Sequence, residues 1–167
     1  MSDYTAPQRD IAFVLDHVVP IENLLKFDAY NHVDRDSVLG VLDEFGRFLS
    51  EVWAPTNVIG DETGSHVEGD EVVLAPELAA AYRAYMEAGW GGVAFDEAYG
   101  GGNFPWLVGI VQQELLNSAN MALAMCPLLS QGAIDAIAHH GSEEQKETYL
   151  KHMVAGRWTG TMNLTEP

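Results

Sequence analysis

Apolar residues recur at three- and four-residue intervals along most of the chain, and the clearest run lies between Asp36 and Val52. Val38, Val41, Leu42, Phe45, Phe48, Leu49 and Val52 follow steps of 3, 1, 3, 3, 1 and 3 residues, which line one face of an α-helix. Asp34 and Asp36 suit its start, where unpaired amides and the helix dipole favour negative charge, and Pro55 marks its end. The spacing of Ile11, Val14, Leu15 and Val18 predicts another helix between Asp10 and Val19, closed or kinked by Pro20.

The segment "GDETGSHVEGDEVVLAP" breaks the helical period, and Glu71 to Leu74 within it can make one short strand. Pro76 is suited to be the first residue of the next helix, which runs through Leu78, Tyr82, Tyr85 and Met86 toward Gly89. A glycine-rich loop follows. Helical spacing resumes from Pro105, with Leu107, Ile110, Val111 and Leu115 on one face. "SANMALAMCPLLSQGAIDAIAHHG" is apolar nearly all round, which predicts buried helix interrupted near Pro127. Ser142 and Gln145 form a capping box for the last helix, and Gly156 is its stop. The chain closes on "WTGTMNLTEP", whose β-branched and apolar residues read as a strand with no second strand to join. The expected fold is therefore all-α, a helical bundle ending at the first strand of another layer.

Composition narrows the possibilities. Hydrophobic residues make up 47% of the 167, enough for one domain with its own core. Eight basic residues against 25 acidic ones leave a net charge of −17, a surface that repels nucleic acid and anionic membranes and does not favour polyphosphate docking. Solubility alone also accounts for such an excess. Cys126 has no internal disulfide partner, and no Cys/His pattern has zinc spacing. The opening "MSDYTAPQRD" lacks the order of a signal peptide, and no uninterrupted apolar run approaches the ~18 residues of a membrane span, so the default expectation is a cytoplasmic protein with no membrane partner.

Individual residues do not name a reaction. Gly89 to Ala94 fits G-x-G-x-x-A, but it follows a helix instead of a strand, and the dinucleotide motif has no meaning there. His139 and His140 lack a spaced carboxylate partner and suit the end of a helix, where the dipole favours them. Glu143, Glu144 and Glu147 open the next helix, which explains them as a solvated first turn. "MALAMC" can line an apolar pocket or simply be core. No nucleophile stands beside a base, and neither a catalytic residue nor a metal ligand is singled out.

Three segments taken together are more specific. "GWGGVAFDEAYGGGNFP" resembles the acyl-CoA dehydrogenase loop G-W-x-G-[apolar]-x-x-P-E-x-Y-G-G-x-G-L-P. "HHGSEEQKETYLKHMVAGRWTGTMNLTEP" resembles that family's following helix and its T-E-P junction, and "QQELLNSANMALAMCPLLSQGA" matches its buried helix pair without gaps. "YTAPQRDIAFVLDHV" and "EFGRFLSEVWAPTNVIGD" resemble the larger subgroup that includes 3-methylmercaptopropionyl-CoA dehydrogenase. Asp96 departs from the family's proline, and Asn103-Phe104 from its Gly-Leu.

The resemblance implies an N-terminal fragment of an enzyme that desaturates acyl-CoA thioesters with FAD, with the catalytic base on a domain outside this sequence. It divides the chain into an extension, 1–33, a helical domain, 34–160, and the first strand of a middle β-domain, 161–167. It implies that Met162, often aromatic in relatives, Leu164 and Thr165 lie along the flavin. It also implies that Leu123, Ala124 and Pro127, within Met121 to Pro127, close the end of the acyl pocket. An electron-transfer flavoprotein as acceptor and a dimeric or tetrameric full-length protein belong to the same expectation. An acyl-CoA oxidase fragment and a free-standing helical interaction or lipid-binding module are the alternatives.

Overall fold

Residues 3–162 are described by a computed structural model, and the first turn of its second helix shows how local chemistry sets the frame. The Asp34 carboxylate accepts hydrogen bonds from the Ser37 amide at 2.7 Å and the Ser37 hydroxyl at 2.6 Å, capping α2, Arg35–Phe48. A π turn, Leu49–Trp53, carries the rod on toward Pro55. Val38, Leu42, Phe45, Leu49 and Trp53 are fully buried on its inner face. Pro55 ends that rod but not the helical structure, because the chain turns there into α3, Thr56–Thr63.

The N-terminal segment contains α1, Gln8–Phe13, and a π turn, Val14–Val18. Ile11 and Leu15 are buried whereas Val14 and Val18 are exposed, so the inward stripe is narrower than the spacing predicts: α1 sits at the edge of the bundle and meets it along one line. Ala6, Ile11, Leu15, Ile21 and Val33 share one hydrophobic core with α2 and the long helix α5 described below. Polar ties reinforce the seam. Gln8 Nε2 donates to the Leu42 carbonyl at 2.7 Å, and Arg35 donates to both carboxylate oxygens of Asp16 at 2.7 Å.

A hairpin of β1, His66–Glu68, and β2, Glu71–Val73, follows α3, with Val67 opposite Val72 and Gly69 at positive φ in the turn. Only the second strand is legible beforehand; the first has a single apolar residue and no alternation to read. α4, Pro76–Glu87, starts with proline in its first turn and stops at left-handed Gly89. The loop after it folds back on itself: the amides of Gly102, Asn103 and Phe104 donate to the carbonyls of Gly92, Phe95 and Val93 at 2.8–3.0 Å. The two departures from the family pattern are accommodated here. Asp96 caps the turn Glu97–Tyr99 by accepting from the Ala98 amide, and Asn103 takes the left-handed conformation that asparagine tolerates, at φ 50°.

α5, Trp106–His140, spans 35 residues and is broken at Asn120, where φ is −160° and ψ 95°. Its arms are residues 106–119 and 121–140. Val108, Val111, Leu115 and Leu116 are the buried face of the first arm, and Ile110, expected inside, is exposed. The interruption falls at Asn120 and not near Pro127, which sits within the second arm, Leu123 simply lacking that one i→i+4 donor. Among the described residues α5 is the one helix long and apolar enough, by length and composition, to cross a membrane. Its break and its packing against α2 and α3 mark it as the central helix of the bundle. The second arm also differs from a uniformly buried helix, since Met121, Met125 and Leu128 are exposed.

Ser142 and Gln145 form the expected capping box, with Gln145 Oε1 accepting from the Ser142 amide at 2.8 Å. α6, Glu143–Gln145, a π turn, Lys146–Leu150, and α7, Lys151–Val154, make one rod that stops at positive-φ Gly156. Leu150, Met153 and Val154 join Phe95 and Ile134 in a second, smaller core. Residues 157–162 carry no regular secondary structure, and the rest of the expected strand lies outside the described residues.

A Cβ at Gly101 would collide with the Phe95 carbonyl group and crowd the Gly92 carbonyl, whereas one at Gly40 in α2 meets nothing. Gly101→Ala is expected to cost at least about 2 kcal/mol in urea unfolding, and Gly40→Ala to add about 0.5–1 kcal/mol. Acid should act through the capped carboxylates. The Arg35 side chain holds Asp16 below the usual carboxylate range, and the Ser37 hydroxyl and amide do the same for Asp34. Their contribution is complete at neutral pH and is lost as pH falls through these lowered values. Asp16→Asn should therefore shrink the drop in unfolding midpoint between neutral pH and about pH 3.

Candidate functional site

The break in α5 decides which side chains reach the surface. Asn120, buried, donates from Nδ2 to the Thr56 hydroxyl at 2.9 Å, and Thr56 donates to the Trp53 carbonyl at 2.6 Å. Asn120 Oδ1 accepts from the Leu123 amide at 3.1 Å, so the same residue caps the second arm. With the axis redirected, Met121, Met125 and Leu128 fall on one outward stripe at 64%, 41% and 36% exposure. Helical spacing of four and then three residues makes them a continuous apolar ridge.

The residues expected at the acyl pocket are placed differently from one another. Ala124 is wholly buried in the main core at 0% exposure. Leu123 is half-buried and lines a groove with Asn57, Gly60, Leu74 and Leu78. Pro127 lines an interior cavity between α4, the 90–95 loop and both arms of α5. The structure does not gather these three at one surface; the outward face of the same turns is Met121, Met125 and Leu128. Periodicity alone could mark that stripe, but choosing between the two faces needs the position of the break.

The interior cavity is small, about 30 Å3, enough for about two waters, and its lining mixes apolar side chains with Gln112, Gln113, Gln131 and Ser130. Trp90 Nε1, Gln112 Nε2 and Gln113 Oε1, buried atoms with no hydrogen-bond partner among the described residues, belong to its lining. Burial raises the Tyr82 and Tyr85 hydroxyls above the usual range, which keeps both neutral and suits them to walls, not to proton transfer. Burial also raises the Asp135 carboxyl, against the opposing effect of His139, on a cleft shared with Asp96, Tyr99 and Lys146. Among the described residues no group of three His, Cys, Asp or Glu could hold a metal ion. The Gly89–Ala94 segment forms a turn directly after α4, so a helix and not a strand leads into it.

Of the residues expected beside flavin, Met162 alone is described, and its side chain is 60% exposed. Leu164 and Thr165 lie outside the described residues.

Residues 40–157 match the family model "Acyl-CoA dehydrogenase, N-terminal domain". The chain belongs to that family. It is 41% identical over 164 residues to a 3-methylmercaptopropionyl-CoA dehydrogenase of Ruegeria pomeroyi, covering 98% of the chain and 28% of the relative. It is 34% identical over 169 residues to a butyryl-CoA dehydrogenase of Syntrophomonas wolfei, covering 99% and 28%. A broad-specificity linear acyl-CoA dehydrogenase of Mycobacterium tuberculosis is 32% identical over 169 residues, covering 100% and 27%. The domain thus spans little more than a quarter of the length of the curated relatives it matches. The matches extend through the N-terminal segment that shares the core.

Asn120→Ala removes the donor to Thr56 and the cap on Leu123 together. The expected cost is about 1–3 kcal/mol by urea unfolding, with increased hydrogen exchange at the Leu123 amide.

Proposed function

We propose that the domain is the N-terminal part of a longer FAD-dependent acyl-CoA dehydrogenase, and that the second arm of α5 forms one wall of its acyl pocket. The observation that carries this reading is the exposed ridge of Met121, Met125 and Leu128, on a domain of this family whose cavity behind that arm, beside Tyr82 and Gln113, is about 30 Å3 and too small for an acyl chain. Flexible thioether and leucine side chains suit a wall that receives an aliphatic or thioether acyl group. Ala124 and Pro127 back this wall from within and Leu123 lines the adjoining groove, so they act on chain length through the position of the ridge.

When bound, the flavin would take up the β-hydrogen as hydride. The residues of this chain would position the acyl group and exclude water from it. Residues 161–167 would open the β-domain, with Met162, Leu164 and Thr165 along the flavin. The base that removes the α-proton would come from another domain, so no glutamate of this one has that role. The excess of acidic residues supports a division in which CoA phosphates meet basic residues elsewhere. A cytoplasmic homo-oligomer that passes electrons to an electron-transfer flavoprotein completes the proposal.

The test is made on the protein at its full natural length. Anaerobic addition of a panel of acyl-CoAs is expected to bleach the flavin absorption; a colourless protein that FAD does not reconstitute would overturn the reading. Leu128→Trp should lower kcat/KM for the longest accepted acyl group about tenfold relative to the shortest.

A further inference from the structure

The tail after α7 is tied to the same helix arm that carries the apolar ridge, through one buried side chain. Ser130 sits in the second arm of α5 and is buried. Its hydroxyl donates to the Cys126 carbonyl at 2.8 Å, one turn earlier. The same oxygen accepts the Gly160 amide at 3.1 Å, across thirty positions of sequence. A hydroxyl committed in this way has one defined orientation, because its proton is engaged by the helix carbonyl and its lone pair faces the tail.

Gly160 is fitted to this contact by its lack of a side chain. A Cβ there would collide with Ala133 Cβ and press on Met153 Cε at 3.3 Å and Ser130 Cα at 3.4 Å. The backbone therefore lies directly on the helix over Ser130 and Ala133. Upstream the tail is also fixed: the Trp158 ring packs on His152 with centroids 4.4 Å apart, and the Trp158 amide donates to the His152 carbonyl at 3.2 Å. Met162 follows two residues after Gly160 and is exposed. Ser130 lies two residues beyond Leu128, on the inward side of the ridge.

We infer that Ser130 and Gly160 form a positioning clamp that sets the register between the acyl-facing ridge of α5 and the chain leading to the flavin-side strand. The inference rests on the function proposed above, since it gives that strand and that ridge their roles. Neither residue touches the reacting atoms. Both act through the placement of Met162. A clamp of this kind is needed because desaturation requires the acyl Cα–Cβ bond and the flavin ring in fixed relation, and the two are held by elements far apart in sequence. Displacement on the order of 1 Å costs up to about a hundredfold in rate.

The test uses the full-length holoprotein and three variants: Ser130→Ala, Gly160→Ala and the double change Gly160→Ala with Ala133→Gly. The double change removes the methyl that the new Cβ would strike. The wild type must first bleach with an acyl-CoA; if it does not, the functional reading has failed and the clamp is not the cause. Given that bleaching, Ser130→Ala is expected to expose the Gly160 amide to hydrogen exchange at least tenfold faster and to lower kcat on the order of tenfold. KM for acyl-CoA and the ranking of chain lengths should stay as in the wild type, because the ridge itself is intact. Gly160→Ala should shift the visible flavin spectrum and lower kcat, and the double variant should recover both. Unchanged Gly160 exchange in Ser130→Ala would overturn the inference. So would a loss of kcat that Ala133→Gly fails to recover, or one that follows flavin content alone.

Discussion

A long apolar helix cannot change direction inside a core without supplying partners for the backbone groups it frees, and this domain meets that demand with one asparagine. Asn120 leaves helical geometry, caps the arm that follows and bonds to Thr56, which in turn holds the last carbonyl of the rod before α3. Three elements therefore meet at a buried polar junction in an apolar surround. Unpaired, those groups would each cost more than a typical hydrogen bond contributes. Paired, they fix one bend and no other. The bend turns Met121, Met125 and Leu128 outward and Ala124 and Pro127 inward.

Most element boundaries are legible in the sequence because they are made by local chemistry. Asp34, the Ser142–Gln145 pair, Pro76, Gly89 and Gly156 cap or stop helices where their side chains or backbone freedom suit those places. What is not legible depends on partners distant in sequence. Proline at 127 is the stronger local breaker, but the break occurs at 120 because Thr56, sixty-four residues away, rewards it. The faces of α1 and of the first arm of α5 depend on which neighbours lie beside them, so Val14, Val18 and Ile110 fall outside although they share the apolar spacing. The strand His66–Glu68 is visible only once β2 pairs with it.

The candidate site follows the same division. The stretch 121–127 could be picked out by its resemblance to the family and by its composition. The side of that stretch that faces outward could not, because a helix exposes only part of each turn and the phase is set at Asn120. The N-terminal segment was likewise legible as a helix followed by a proline, yet not as part of the main core. Gly46 in α2, where a Cβ would strike Gln8 and Ala6, shows how closely it is seated.

The central claim is that the outward stripe of α5 meets the acyl group. Photolabelling of the full-length protein with an acyl-CoA carrying a terminal diazirine tests this most directly. The account predicts adducts at Met121, Met125 or Leu128, suppressed by excess unlabelled substrate. Substrate-suppressible adducts confined to residues outside the second arm of α5, or in the interior cavity at Tyr82 and Gln113, would contradict it.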